Sequence, residues 1–205
     1  MKKAIFFDLD NTIYDVRSVA DEMLSSLYAL IEKNGEYEGD FEEIKDDITR
    51  KPLQTIAKEN GFSERLFNEC IDHLKDLEYL GEMRPFEDFE TVKELETAKF
   101  LVTSGFTKMQ MSKVRAMKLD NLFKEIIVAD FLSSDKSKKD IFSEIIGKYN
   151  YRPSEILVVG DDLHSEIQAA KDLGVDYVLL DKRGIYHDLE DENKITGYDQ
   201  LKRFL

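Results

Sequence analysis

Four short apolar runs, Ala4–Phe7, Phe100–Val102, Ile126–Ala129 and Ile156–Val159, mark the chain, and a fifth lies at Tyr177–Leu180. Each run is continuous rather than alternating. That is the pattern of a strand covered on both faces, which a parallel sheet between two helical layers supplies. Helical patterns at Lys108–Met117, Ser137–Tyr149 and His164–Leu173 fall between the later runs. Strand and helix in alternation predict an α/β fold with a doubly wound, Rossmann-like parallel sheet.

The first gap breaks the alternation. Residues 15–84 hold no strand-like run and are rich in Glu, Lys, Leu and Ile at helical spacing. Breaks near Asn34–Gly39, Lys51–Pro52 and Asn60–Ser63 divide the stretch into about four helices, with Ser63 as an N-cap. Pro85 is expected at or near the first turn of the helix that re-enters the core, where a missing N–H costs least. The expected organisation is an α/β core made of residues 1–14 and 85–205, carrying an all-helical insert at 15–84. The full length of 205 residues suits one domain with such an insert.

Charge narrows the function. The 43 acidic and 29 basic residues leave a formal net charge of −14. Such a surface repels nucleic acid and anionic lipid, so neither is an expected partner. It repels phosphate esters too, and a site for them has to assemble positive potential locally. Cys70 is the only cysteine, which rules out an intrachain disulfide and a cysteine metal cluster. The opening apolar run stops at Asp8 after four residues, too short for a secretory or membrane segment, and the expected location is cytoplasmic. His73, His164 and His187 lie in no ligand or nucleophile pattern, and no Gly-x-Ser-x-Gly or P-loop is present.

Chemistry-bearing residues gather where the apolar runs end. Asp8 and Asp10 follow the first run, Thr103-Ser104-Gly105 the second, and Gly160-Asp161-Asp162 the fourth. Ligands of open α/β sheets bind at the carboxyl ends of strands. Asp10-Asn11 also reads as turn chemistry, Thr-Ser-Gly as a helix cap, and Asp161-Asp162 as an N-cap and first turn. Asp8 resists that reading, because a carboxylate directly after four apolar residues needs a compensating cation or donors.

In the pattern Asp8-x-Asp10-x-Thr12, Thr103 after a strand, a lysine ahead of a helix, and Gly160-Asp161-Asp162, the chain resembles the haloacid dehalogenase-like hydrolases. The resemblance covers residues 1–14 and 85–205. It implies Asp8 as a nucleophile that forms an aspartyl phosphate and Asp10 as the acid/base for leaving group and water. The second carboxylate speaks for a phosphate substrate, since a halide leaving group needs no proton. It further implies phosphate binding by Thr103, Ser104 and a lysine. The family spacing, six residues before an aromatic, selects Lys136 ahead of Phe142, with Lys138 as the alternative because Ser137 replaces the usual proline. The metal is expected to be Mg²⁺, held by Asp8, the main-chain carbonyl of Asp10 and Asp161. Asp162 or Glu166 would act through water or from behind these ligands.

The function implied is a magnesium-dependent phosphatase for small phosphomonoesters, such as a nucleotide or sugar phosphate. The helical insert would close over the site as a cap, and the chain is expected to be a monomer or weak dimer. A phosphomutase of the β-phosphoglucomutase kind has the same motifs, and a non-enzymatic binding module on this scaffold is the third reading.

Overall fold

The computed structural model describes residues 1–205. Six strands, β1 (Ala4–Phe7), β2 (Ala98–Ser104), β3 (Glu125–Ala129), β4 (Ile156–Gly160), β5 (Asp176–Leu180) and β6 (Lys194–Ile195), form one sheet. Its order is β3-β2-β1-β4-β5-β6 and every pairing is parallel. In the centre, Phe6 stands between Phe100 and Val158. β2 lies on one side of β1 and β4, reached from β3, on the other, and this reversal of strand order creates the switch point at which such sheets bind ligands.

Side chains alternate across β1. Phe6 joins Phe100, Val158 and the inward residues of the two helices α8 (Lys138–Tyr149) and α9 (Glu166–Leu173). Ile5 and Phe7 face the other way, with Leu101, Leu157, Phe89, Val114 and Tyr198. Burial of each such side chain contributes on the order of 1.5–3 kcal/mol, so the sheet is anchored from both faces.

Between β1 and β2 run α1 (Arg17–Met23), α2 (Ser25–Asn34), α3 (Phe41–Ile48), α4 (Leu53–Glu59), α5 (Glu64–Leu74) and the single turn α6 (Glu90–Lys93). Residues 15–84 thus carry five helices where the spacing of breaks predicts about four. The missed boundary is Leu24, which carries no Gly or Pro to announce it. Ser63 caps α5 as expected, its hydroxyl accepting the Leu66 N–H at 3.0 Å. Pro85 lies near a helical start, directly before its N-cap Phe86. It precedes a 3₁₀ turn, Glu87–Phe89, which leads into α6. The insert's apolar residues Leu27, Ile31, Leu66 and Leu74 belong to the same cluster as the β1 and β2 side chains. Beyond β2 lies α7 (Thr107–Ala116). No helix is long and apolar enough to cross a membrane.

Candidate active site

Asp8 continues the ladder of β1, its N–H donating to the Val159 carbonyl at 3.0 Å. The chain then turns sharply through Asn11, which takes a left-handed conformation at φ 56°. Asparagine tolerates that region better than most residues. Its amide donates to the Thr49 carbonyl at 3.1 Å, and its side-chain oxygen accepts the Val16 N–H, tying the loop to the insert. The Tyr198 hydroxyl holds the Thr12 carbonyl from the other side.

Around Asp8 three carboxylates converge. One oxygen each from Asp8, Asp161 and Glu166 lies within 4.8 Å of the others. Lys138 bridges two of them, its Nζ 2.6 Å from Asp8 Oδ1 and 2.7 Å from Glu166 Oε2. Thr12 Oγ1 donates to Asp161 Oδ1 at 3.3 Å, and Glu166 Oε1 accepts the Asp162 N–H at 2.8 Å. Gly160 makes room for this: a Cβ there would overlap Glu166 Cγ, Cδ and Oε1.

The electrostatics are unbalanced, with three carboxylates facing one ammonium. Burial pushes the Asp8 carboxyl up to about 7, with the Lys138 ammonium pulling against it and the Glu166 and Asp10 carboxylates pushing further. Burial, Glu166 and Asp8 raise Asp161 well above the carboxylate range. Burial alone would lower Lys138, but Asp8 and Glu166 outweigh it and raise the ammonium. A divalent cation beside these carboxylates would favour their ionised forms.

Lys136 is not part of it. Its ammonium pairs at 2.6 Å with Glu144, both side chains about half exposed. The reason is helical geometry. Ser137 caps α8 in a reciprocal box with Asp140, so the helix begins at Lys138. Residues four apart share a helix face, which puts Lys138, not Lys136, on the face of buried Phe142. The family-style spacing therefore selects the wrong lysine, and Lys138 is the one that meets Asp8.

Asp10 turns its side chain away from the cluster. Lys113 Nζ lies 2.8 and 3.1 Å from its two oxygens, the Tyr14 hydroxyl donates to Oδ1, and Gln110 Nε2 donates to Oδ2 at 2.8 Å. Burial would raise this carboxyl, but Lys113 and these donors hold it below the usual range. Gln110 Nε2 also meets Thr103 Oγ1 at 2.7 Å and the Ser104 carbonyl at 2.8 Å. Sequence reasoning found neither Gln110 nor Lys113. Their only local signal is a spacing of three on one helix face, next to the strand that ends at Thr103-Ser104.

A cavity of about 1010 Å³ opens over these groups. Asp8, Asp10, Thr103, Ser104, Lys138 and Asp161 line it from the sheet side. Leu27, Arg50, Lys51 and Leu53 line it from the insert. Deprotonated Asp8 beside an ammonium, with two more acidic groups and a hydroxyl, can perform nucleophilic and acid/base chemistry on an anionic ligand.

The chain is similar to known proteins along most of its length. The family model described as haloacid dehalogenase-like hydrolase matches residues 2–174. A glyceraldehyde 3-phosphate phosphatase from Pyrococcus furiosus is 27% identical, covering 99% of this chain and 92% of the relative. The N-acylneuraminate-9-phosphatase of Homo sapiens is 25% identical, covering 89% and 84%. A haloacid dehalogenase-like hydrolase from Streptococcus pneumoniae superposes with a TM-score of 0.74 at 15% identity, over 100% of this chain and 99% of the other, which speaks for the fold.

Proposed function

The chain belongs to the haloacid dehalogenase-like hydrolases, and from that premise we propose that it hydrolyses small phosphomonoesters with Asp8 as the nucleophile. The observation that carries this reading is the convergence of Asp8, Asp161, Glu166 and Lys138 at the strand ends beneath the cavity.

Mg²⁺ fits the donor set. The available groups are carboxylate and carbonyl oxygens, the ligands of a hard cation. Asp8 and Asp161 are held toward their neutral forms by burial and by one another, which a divalent charge would reverse. Asp8, Asp161 and the main-chain carbonyl of Asp10 would hold it, with Glu166 beside them. When bound, the ion supplies positive charge that lets an anionic ester approach an anionic nucleophile.

The residues then divide the work. Lys138 holds the Asp8 carboxylate in place and neutralises part of the charge of the incoming group. Thr103 and Ser104, at the end of β2, offer a hydroxyl and main-chain donors to the phosphoryl oxygens. Asp8 attacks phosphorus, an Asp8–phosphate bond forms, and the ester bond to the alcohol breaks. Asp10, having taken up a proton from solvent against the pull of Lys113, gives it to the departing oxygen, and later takes one from the water whose attack breaks the Asp8–phosphate bond and releases phosphate. Residues 15–84 act as a cap over a core of 1–14 and 85–205, and closure excludes bulk water. Arg50, Lys51 and Leu53 line the cavity from the insert, and these residues would contact the leaving group.

The named relatives make a phosphorylated carbohydrate the first substrate class to try. The test is Asp8→Asn assayed with Mg²⁺ against a panel of phosphomonoesters. Turnover is expected to vanish for every ester the parent accepts, and an unchanged rate defeats the nucleophile assignment.

A further inference from the structure

We propose that Lys113, supported by Gln110, is a positioning residue that sets the orientation of the Asp10 carboxylate for proton transfer to the leaving group. The inference rests on the acid/base role of Asp10 proposed above, and it requires the gain in orientation to outweigh the preference of the Lys113 ammonium for the ionised carboxylate.

Lys113 has one polar partner. Its side chain is 3% exposed, and both of its hydrogen bonds go to Asp10, at 2.8 and 3.1 Å. Burying an ammonium is costly, and an apolar residue would join α7 to the core more cheaply. The expense is concentrated on one carboxylate, carried on a loop that would otherwise leave its side chain free to rotate.

The grip is two-sided. Oδ1 takes the Tyr14 hydroxyl and Lys113, while Oδ2 takes the Gln110 amide and Lys113. Gln110 is 1% exposed, and the same Nε2 reaches Thr103 Oγ1 and the Ser104 carbonyl. Asp10 is thereby linked to the residues proposed to hold the phosphate. A group that must meet the bridging oxygen of an ester bound at Thr103-Ser104 is held by the same side chain that holds that site. An acid has to lie within hydrogen-bond reach of its target, and a displacement of about 1 Å can cost on the order of 100-fold.

A structural salt bridge would support every substrate equally, whereas a positioner of the acid should matter in proportion to how much the leaving group needs a proton. The experiment compares kcat/KM, which reports steps through the first ester cleavage, for an alkyl phosphate and for 4-nitrophenyl phosphate. The nitrophenolate departs with little protonation. Lys113→Met is expected to lower the alkyl value at least about tenfold more than the aryl value, chiefly through kcat. Lys113→Arg, which can still grip both oxygens, is expected to recover part of that loss. Asp10→Asn is run alongside. If it strikes both substrates alike, the acid role of Asp10 fails. If it is selective for the alkyl ester while Lys113→Met lowers both equally or neither, the proposed function stands and the positioning role is overturned. Gln110→Leu, read by the same ratio, covers the case in which Lys113→Met does not fold. An unchanged ratio there, with Asp10→Asn selective, likewise overturns the inference.

Discussion

Lys138→Met isolates the charge balance on which the site depends. The three side chains of the bridge are 8% (Lys138), 7% (Asp8) and 1% (Glu166) exposed. Methionine preserves most of the stem but leaves two carboxylates facing each other with Asp161 nearby. Removing one partner of a buried ion pair costs about 3–5 kcal/mol. For a chain of this length that corresponds to a fall in Tm of roughly 6–20 °C. The deficit should depend on pH in a defined direction. Asp8 is pushed up to about 7 in the folded protein, so its protonation favours the fold below that value and ceases to do so as pH rises through it. Without the ammonium the carboxyl is raised further, so the deficit against the parent is steady below about 7 and grows as pH rises through that value. Thermal unfolding in EDTA at several pH values measures this. Lys136→Met is the control: its exposed pair with Glu144 contributes no more than about 1 kcal/mol. Equal stability of Lys138→Met and the parent at pH 8 would refute the claim that this ammonium neutralises the cluster.

Three further outcomes follow from the same geometry. Gly160→Ala should destabilise by about 1–3 kcal/mol, because the new methyl must displace a Glu166 side chain that is itself fully buried; urea unfolding with an unchanged midpoint would show that Glu166 can swing aside. Mg²⁺ should raise Tm more at pH 8 than at pH 6, since protons compete for the raised carboxyls of Asp8 and Asp161 at the lower pH, and a pH-independent increment would place the ion elsewhere. Glu155, pushed down to about 2 by the Arg152 guanidinium and main-chain N–H and by Lys3, contributes stability that is present above its unfolded value and lost as pH falls through about 2. Glu155→Gln should therefore unfold more readily than the parent at pH 7 and match it near pH 2 in urea titrations.

The strands were legible because continuous apolar runs have few alternatives. β1 agrees at both ends, and β4 extends one residue further, through Gly160. β2 runs from Ala98 to Ser104, longer than its apolar centre, because Lys99 buries its stem inside the sheet and sends its amine to the Leu95 and Thr97 carbonyls. β6 spans two residues, too few to show any period. Its partner β5 supplies the order, Leu179 pairing with Lys194.

At the site, the amino-acid sequence by itself determined that acidic and hydroxyl groups stand at the carboxyl ends of three neighbouring strands, since strand ends are set by local pattern. Only the tertiary structure decided which basic groups meet them. Lys138 lies 130 residues from Asp8, and Lys113 lies 103 residues from Asp10. Which of several lysines along a helix turns inward depends on where the helix starts and how it packs on the sheet, as Ser137 and Phe142 show. Local sequence specifies a charge, but the field around a carboxylate is summed over everything that folding brings near it.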